Sequence, residues 1–462
     1  MKGLAKTLWI SYTIIVFCKK NAISIVINFK IQGKTMRRYD ELNKNEIEEL
    51  YAELSEIYGS YKAAGLSLDL SRGKPNSEQL DIADGMLSLP MTRELCFSDG
   101  GVDYRNYGIV DGIPEAKKLF GDLYGIDQKN IIVAGNSSLQ LMYDALTRAM
   151  LFGTCDSQTP WCRESGLKWI CVVPGYDRHF KITEELGFEL LTVKMTADGP
   201  DMDEVERLAL DPKVKGIWCV PKYSNPTGNT YSDGTVRRLA SMKCGAPDFR
   251  IMWDNAYAIH AFGEQDDELL DIFAEAKRYG NENRVLYFAS TSKVTLPGSG
   301  VAIVAASDAN IAEIKCHMST QTIGYDKINQ LRHVAYFGSS ENVVKHMKKL
   351  GAAISEKFDI TLGALSALDG LGIAEWTRPK GGYFISLDVL IGSAARVFEL
   401  MKGAGVTLTQ VGATYPYGKD PEDKNLRIAP TYPTDNDLAK ACEILNVAIK
   451  LSALESLMAG IS

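Results

Sequence analysis

Between residues 130 and 307 the chain repeats one pattern of hydrophobicity. A short run is apolar at nearly every position, and a helix-length stretch of mixed spacing follows it. The runs are NIIVAG (130–135), WICVVP (169–174), GIWCVP (216–221), FRIMWDN (249–255), RVLYFAS (284–290) and VAIVAAS (301–307). A strand with one face in water alternates apolar and polar residues, whereas a strand covered on both faces has no polar side to show. The pattern predicts a mostly parallel sheet with helices on either side, an α/β fold. Ahead of it, Leu42, Ile47, Leu50, Leu54 and Ile57 recur at helical steps over 39–64, and Gly65 stands where that helix would stop. Beyond about Ser340 the texture changes to one long helix followed by GGYFISLDV (381–389) and NLRIAP (425–430) among helices. That predicts a smaller α+β domain, to which the N-terminal helix returns.

With 462 residues the chain is too long for a single core. The expected division is an N-terminal extension (1–35), an arm with part of the small domain (36–95), a large domain (96–338) and a small C-terminal domain (339–462). The extension is apolar from Leu8 to Cys18 and flanked by lysines. It is too short to span a membrane, which takes about 20 residues, and no small-residue cleavage site follows it. Composition is that of a soluble protein, 45% hydrophobic and 24% charged. A formal net charge of −7 without a basic run argues against nucleic acid as a partner. The 9 Cys lack metal or disulfide spacing, and several sit inside the apolar runs, as expected of free thiols in the cytoplasm. Only 5 His are present and none pairs with another at metal-ligand spacing, so no metal site is expected.

In an open parallel sheet, ligands bind beyond the carboxyl ends of the strands. Candidate residues stand there after run upon run. Lys293 follows RVLYFAS in a loop rich in serine and glycine, where desolvation would lower its pKa for Schiff-base chemistry. Asp254 ends FRIMWDN; such an acid is either a cap or turn former or the partner of a pyridinium nitrogen. Tyr257, three residues on, reaches toward the same ligand. Asn225 lies in the turn-forming string KYSNPTGNT. Ser137 and Ser138 open a helix after NIIVAG, where backbone N–H groups bind anions, and Ser290 adds a hydroxyl. Tyr176 sits in PGYDRHF, placed to stack on a flat ring, and His179 beside it is either structural or a support for Asp254. Arg427, bracketed by Leu426 and Ile428, suits bidentate capture of a carboxylate.

Asn225, Asp254, Lys293 and Arg427, in this order and at these spacings, resemble the fold type I aminotransferases of class I that use pyridoxal 5′-phosphate. The strings SRGKP, PGYDRHF, SNPTGNTYS, STSKVTLPGSGVA and QTIGYDKINQLRH are similar to the aspartate aminotransferase subgroup Ic, a branch related to the aminotransferase domain of MocR-type regulators. The resemblance covers Met36 to the C-terminus. It implies that Lys293 holds the cofactor as a Schiff base, Asp254 pairs with the pyridine nitrogen, and Asn225 and Tyr257 bond the ring's O3′. Tyr176 would stack on the ring, His179 would support Asp254, and Ser137, Ser138 and Ser290 would hold the phosphate. Tyr107 matches a tyrosine that reaches the neighbouring subunit's phosphate, implying a homodimer with shared sites. Arg427 and Gly73 match positions beside the substrate α-carboxylate. One departure stands out: the family places an arginine roughly eight residues after the lysine to neutralise the phosphate, and LPGSGVA holds no cation. Lys315, Lys327 and Arg332 lie in the region expected to read a distal carboxylate.

The expected reaction is transfer of an amino group from an amino acid, L-aspartate by the resemblance, to a 2-oxo acid such as 2-oxoglutarate. Two rivals share the features above. A β-lyase or decarboxylase uses the same cofactor on the same fold. A regulator that senses the cofactor needs a DNA-binding segment, for which residues 1–35 are too short and too apolar.

Overall fold

The computed structural model describes residues 37–98 and 100–460. The extension expected over residues 1–35 lies outside them. The strands are β1 (Leu68–Asp69), β2 (Ile131–Val133), β3 (Lys168–Val173), β4 (Glu189–Thr196), β5 (Gly199–Pro200), β6 (Val214–Cys219), β7 (Arg250–Asp254), β8 (Val285–Ser290), β9 (Ala302–Ala306), β10 (Ala374–Trp376), β11 (Ile385–Val389), β12 (Val406–Thr407) and β13 (Asn425–Ile428). Six helices bear on the site or on the second core: α1 (Lys44–Ala63), α2 (Ser138–Phe152), α3 (Asp177–Glu185), α4 (Lys327–Phe337), α5 (Ser340–Leu365) and α6 (Asp435–Met458).

Eight strands form one sheet in the order β2-β9-β8-β7-β6-β3-β4-β5. All six apolar runs are strands of it. Successive side chains along a strand point to opposite faces, and both faces are dry. Ile251, Trp253, Val285, Tyr287 and Ala289 enter one apolar cluster, while Met252, Leu286 and Phe288 enter the other with α2. That double burial is why these runs carry no polar alternation.

The sheet is mostly parallel, as expected. β8, β7, β6, β3 and β4 are parallel neighbours, but β9 runs antiparallel to both β2 and β8. A strand buried on both faces looks the same in either direction, so VAIVAAS carried no sign of its reversal. β4, which the hydrophobic pattern passed over, lies toward the sheet margin and alternates buried and exposed positions. The expected first helix is also interrupted. Tyr39–Glu41 is a 3₁₀ turn, and α1 starts only after Asn43, whose side chain accepts from Glu46 N while Glu46 accepts from Asn43 N. This reciprocal cap satisfies free N–H groups and fixes the helix start at that point.

The remaining strands form a three-stranded antiparallel sheet, β10-β11-β13, and the short parallel pair β1-β12. Around them Leu54 of α1 shares an apolar cluster with Leu350, Ile354 and Phe358 of α5 and with Leu438 and Leu445 of α6. The Tyr58 hydroxyl of α1 donates to Leu400 O at 2.9 Å. The N-terminal helix thus returns to the C-terminal part of the chain. No helix among the described residues is long and apolar enough to cross a membrane.

Pairing of β3 with β6 slips by one residue between Lys168 and Ile170. The bulge turns Lys215 inward, 2.9 Å from the buried Asp248, and leaves Gly216 against the Trp169 ring and the Arg250 carbonyl. A Cβ on Gly216 would stand 2.5 Å from that carbonyl. Gly216→Ala is therefore expected to destabilise the protein by about 1–3 kcal/mol, the usual cost of overpacking a core. Urea denaturation of the variant against wild type measures it, and an unchanged midpoint would contradict this packing.

Candidate active site

Strands β2, β3, β6, β7 and β8 point the same way, and the turns beyond their carboxyl ends surround one cavity of about 650 Å³, its open mouth included. Tyr176, Asn225, Asp254, Tyr257, Ser290 and Lys293 all line it, together with Ser137 and Ser138. Eight residues predicted from separate parts of the sequence meet in one place.

Asp254 ends β7 and is 3% exposed. Its Oδ2 lies 3.0 Å from His179 Nε2, and its Oδ1 is buried without a hydrogen-bond partner. Of the two readings open for His179, the geometry is that of a support for Asp254. The imidazole is clamped: it stacks on Trp218 at 4.3 Å between ring centroids and meets the Tyr176 ring edge-on at 4.9 Å. Trp218 in β6 backs the imidazole and acts on Asp254 through it, unmarked in sequence because a buried tryptophan reads as core. Burial, then the charges of Asp177 and Asp254, push the Tyr176 hydroxyl up to about 12.

Lys293 follows β8. Its amine sits 5.1 Å from the centre of the Tyr257 ring and 5.7 Å from that of Tyr383. Burial drives the amine below the ordinary lysine range; the charge of Asp254 draws it back and that of Arg427 opposes it again. The backbone beside it is held by His260, whose Nε2 lies 3.2 Å from Lys293 O. A carbonyl can only accept, so Nε2 carries the proton. Burial pushes this histidine down to about 3, so it stays neutral. His260, too, went unmarked in the sequence.

At the other end of the cavity, Ser137 occupies the N-cap of α2 but its hydroxyl makes no capping bond. It is left to the cavity, next to the N-terminal N–H groups of a fifteen-residue helix. Ser290 Oγ donates to Ser292 Oγ at 3.0 Å, and Ser292 Oγ to Asn136 O at 3.3 Å. Ser292, also lining the cavity, extends the predicted serine set; its spacing of two from Ser290 was the available clue. The stretch after Lys293 supplies no cation: Val301 is buried and its N donates to Thr291 Oγ1 at 2.9 Å. Among the described residues lining the cavity Lys293 is the one cation. This end is built of hydroxyls and backbone donors.

Arg427, in β13, does not line the cavity itself but contacts Asn225, which does. Its guanidinium lies 4.9 Å from the Phe384 ring centre, Nη1 donates to Asp177 Oδ1 at 2.8 Å and, more weakly, to Asn225 Oδ1 at 3.4 Å, and Nε is buried without a partner. Gly73 explains itself here, since any Cβ would collide with the Phe384 ring that underlies Arg427. Asp177, within PGYDRHF, carries no signal of its own in the sequence, because an acid at the start of a helix is common.

The other named residues lie elsewhere. Tyr107 is 82% exposed and does not line the cavity. Lys327 is buried in α4, its Nζ donating to Gly108 O at 3.1 Å, so it pins the loop bearing Tyr107. Lys315 is 2.7 Å from Asp111. Neither of these, nor Arg332, lines the cavity.

Residues 42–460 match the family model described as aspartate amino-transferase. The chain is 47% identical over 431 residues to a protein of Mycolicibacterium smegmatis named only provisionally as an aminotransferase, covering 92% of this chain and 99% of the relative. The solved structure of an aspartate transaminase from Corynebacterium glutamicum superposes with a TM-score of 0.89 at 44% identity, covering 91% of this chain and 99% of the other. A more distant fold match is the α-aminoadipate aminotransferase of Thermus thermophilus, solved with N-(5′-phosphopyridoxyl)-L-leucine (TM-score 0.68, 21% identity, covering 85% of this chain and 93% of that one). With the α/β architecture and the convergent cavity, these matches identify the chain as an aminotransferase of fold type I, a member of the aspartate amino-transferase family.

Proposed function

We propose that this aminotransferase binds pyridoxal 5′-phosphate in the cavity and moves the amino group of L-aspartate to 2-oxoglutarate, yielding oxaloacetate and L-glutamate. The observation that carries the cofactor is Asp254: one carboxylate oxygen is held by His179, and the other is buried with nothing to accept from. A protonated pyridine nitrogen is a donor of the right charge for that oxygen. The serines at the α2 end fit a phosphate, and the aromatic side of Tyr176 fits a ring between the two. When bound, the cofactor draws electrons from the substrate Cα. The substrate choice is supported by the 44% identity to a protein named aspartate transaminase.

The protein's own part is to hold and to move protons. Asp254, kept in place by His179 and Trp218, keeps a proton on the ring nitrogen. Asn225 and Tyr257 are placed for the ring's O3′. The Lys293 amine is the covalent anchor, and once released it is the base that takes the proton from Cα; a lowered pKa suits both tasks. Arg427, with Gly73 beside it, receives the α-carboxylate. Tyr107, which projects from its own chain, is assigned to the phosphate of a second copy in a homodimer. The eight cysteines among the described residues are all free, which supports a cytoplasmic location.

Lys293→Ala is expected to lose the bound cofactor's visible absorbance and to slow turnover by about 10²–10⁴-fold or more; a variant that keeps both would sink the assignment. Chromatography of the products from aspartate and 2-oxoglutarate should show oxaloacetate and glutamate, whereas pyruvate and ammonia would mean elimination. Arg427→Ala should lower kcat/KM by about 2–5 kcal/mol in equivalent free energy, the range for truncating one partner of a buried charge pair. In the cofactor-free protein, competitive amine labelling against pH should find Lys293 reacting at lower pH than the exposed lysines. Asp254→Asn should move that reaction lower still, because the lost negative charge had favoured the ammonium form. An upward movement contradicts the site's electrostatics.

A further inference from the structure

The residue assigned to the substrate carboxylate already holds a carboxylate. Arg427 Nη1 donates to Asp177 Oδ1 at 2.8 Å. The guanidinium side chain is 9% exposed and that of Asp177 29%. A carboxylate binds a guanidinium best through two parallel N–H bonds, along either the Nε–Nη2 edge or the Nη1–Nη2 end. Nε has essentially no exposed surface in this arrangement, so the first edge is covered while Asp177 is in place. The second is half occupied by Asp177. A second anion on the same nitrogen would also be repelled by the first.

Asp177 has somewhere else to go. It is the first residue of α3, where a carboxylate is stabilised by the free N–H groups and the positive end of the helix dipole. Its exposure leaves room to turn toward water. Its position is also pointed: in one turn of chain, Tyr176 faces the cavity, Asp177 holds Arg427 and His179 holds Asp254.

We infer that Asp177 is an internal stand-in for the substrate carboxylate, keeping Arg427 aligned over Phe384 until the substrate displaces it, and thereby setting the threshold affinity for carboxylate ligands. This rests on the reading of Arg427 as the carboxylate receptor. The cost of displacement is the same for ground state and transition state, since the carboxylate stays bound in both. It therefore raises KM without bearing on the chemical step.

The test uses the holoenzyme and succinate, a dicarboxylate with neither an amino nor an oxo group. Calorimetric titration of Asp177→Asn and Asp177→Ser should give succinate dissociation constants about three- to tenfold lower than wild type, the tenfold end corresponding to about 1.4 kcal/mol. With aspartate as substrate, the gain in kcat/KM should be carried by KM. A merely structural role for Asp177 predicts the reverse, a weaker dissociation constant and a loss in kcat. Unchanged or weaker succinate binding in both variants overturns the inference. Arg427→Ala separates the two claims. If it weakens succinate binding while the Asp177 variants do not tighten it, the stand-in alone is wrong; if it leaves succinate binding as in wild type, the receptor reading falls and the stand-in with it.

Discussion

Everything in this site is arranged around a carboxylate that is almost entirely buried. Burying a charge costs several kcal/mol unless it is paired and hydrogen-bonded. Asp254 is half provided for: His179 satisfies one oxygen, Trp218 and Tyr176 hold the imidazole in place, and the other oxygen has no partner in the protein. A fold that keeps such a group has a use for it. The surrounding elements hold that carboxylate in place beside the cavity, with one oxygen left to a donor from outside the protein.

The opposite end of the cavity follows a different electrostatic plan. Among the described residues no arginine lines that end, and its donors are the hydroxyls of Ser137, Ser138, Ser290 and Ser292 and the start of α2. Positive charge is concentrated instead at Lys293 and Arg427, and Arg427 is itself partly offset by Asp177. Charges buried as deeply as Asp254 and Arg427 are felt strongly because little water screens them. The state of the Lys293 amine is the balance of three such influences, with burial the largest and the two neighbouring charges opposed.

Much of the fold was legible in the sequence, for a reason visible in its apolar clusters. Six strands are buried on both faces, so their runs of Ile, Val, Trp and Phe stood out without alignment or template. β4 was missed because its mixed exposure breaks the run. The site was legible because ligands of open α/β sheets gather at strand ends, which turns sequence position into spatial proximity. Asp177, Trp218, Ser292 and His260 were not read as site residues, since an acid at a helix start, a core tryptophan, a loop serine and a buried histidine are ordinary wherever they occur.

The sequence by itself determined which segments are buried strands, that their ends carry Asn225, Asp254 and Lys293, and that Arg427 lies in a later strand. These follow from local periodicity and from the chemistry of each residue type. Only the tertiary structure decided the reversed direction of β9 and the pairing of Arg427, in β13, with Asp177 across 250 residues of chain. Strand direction and long-range pairing depend on how separate elements dock, and docking depends on complementary surfaces that no local stretch of sequence displays.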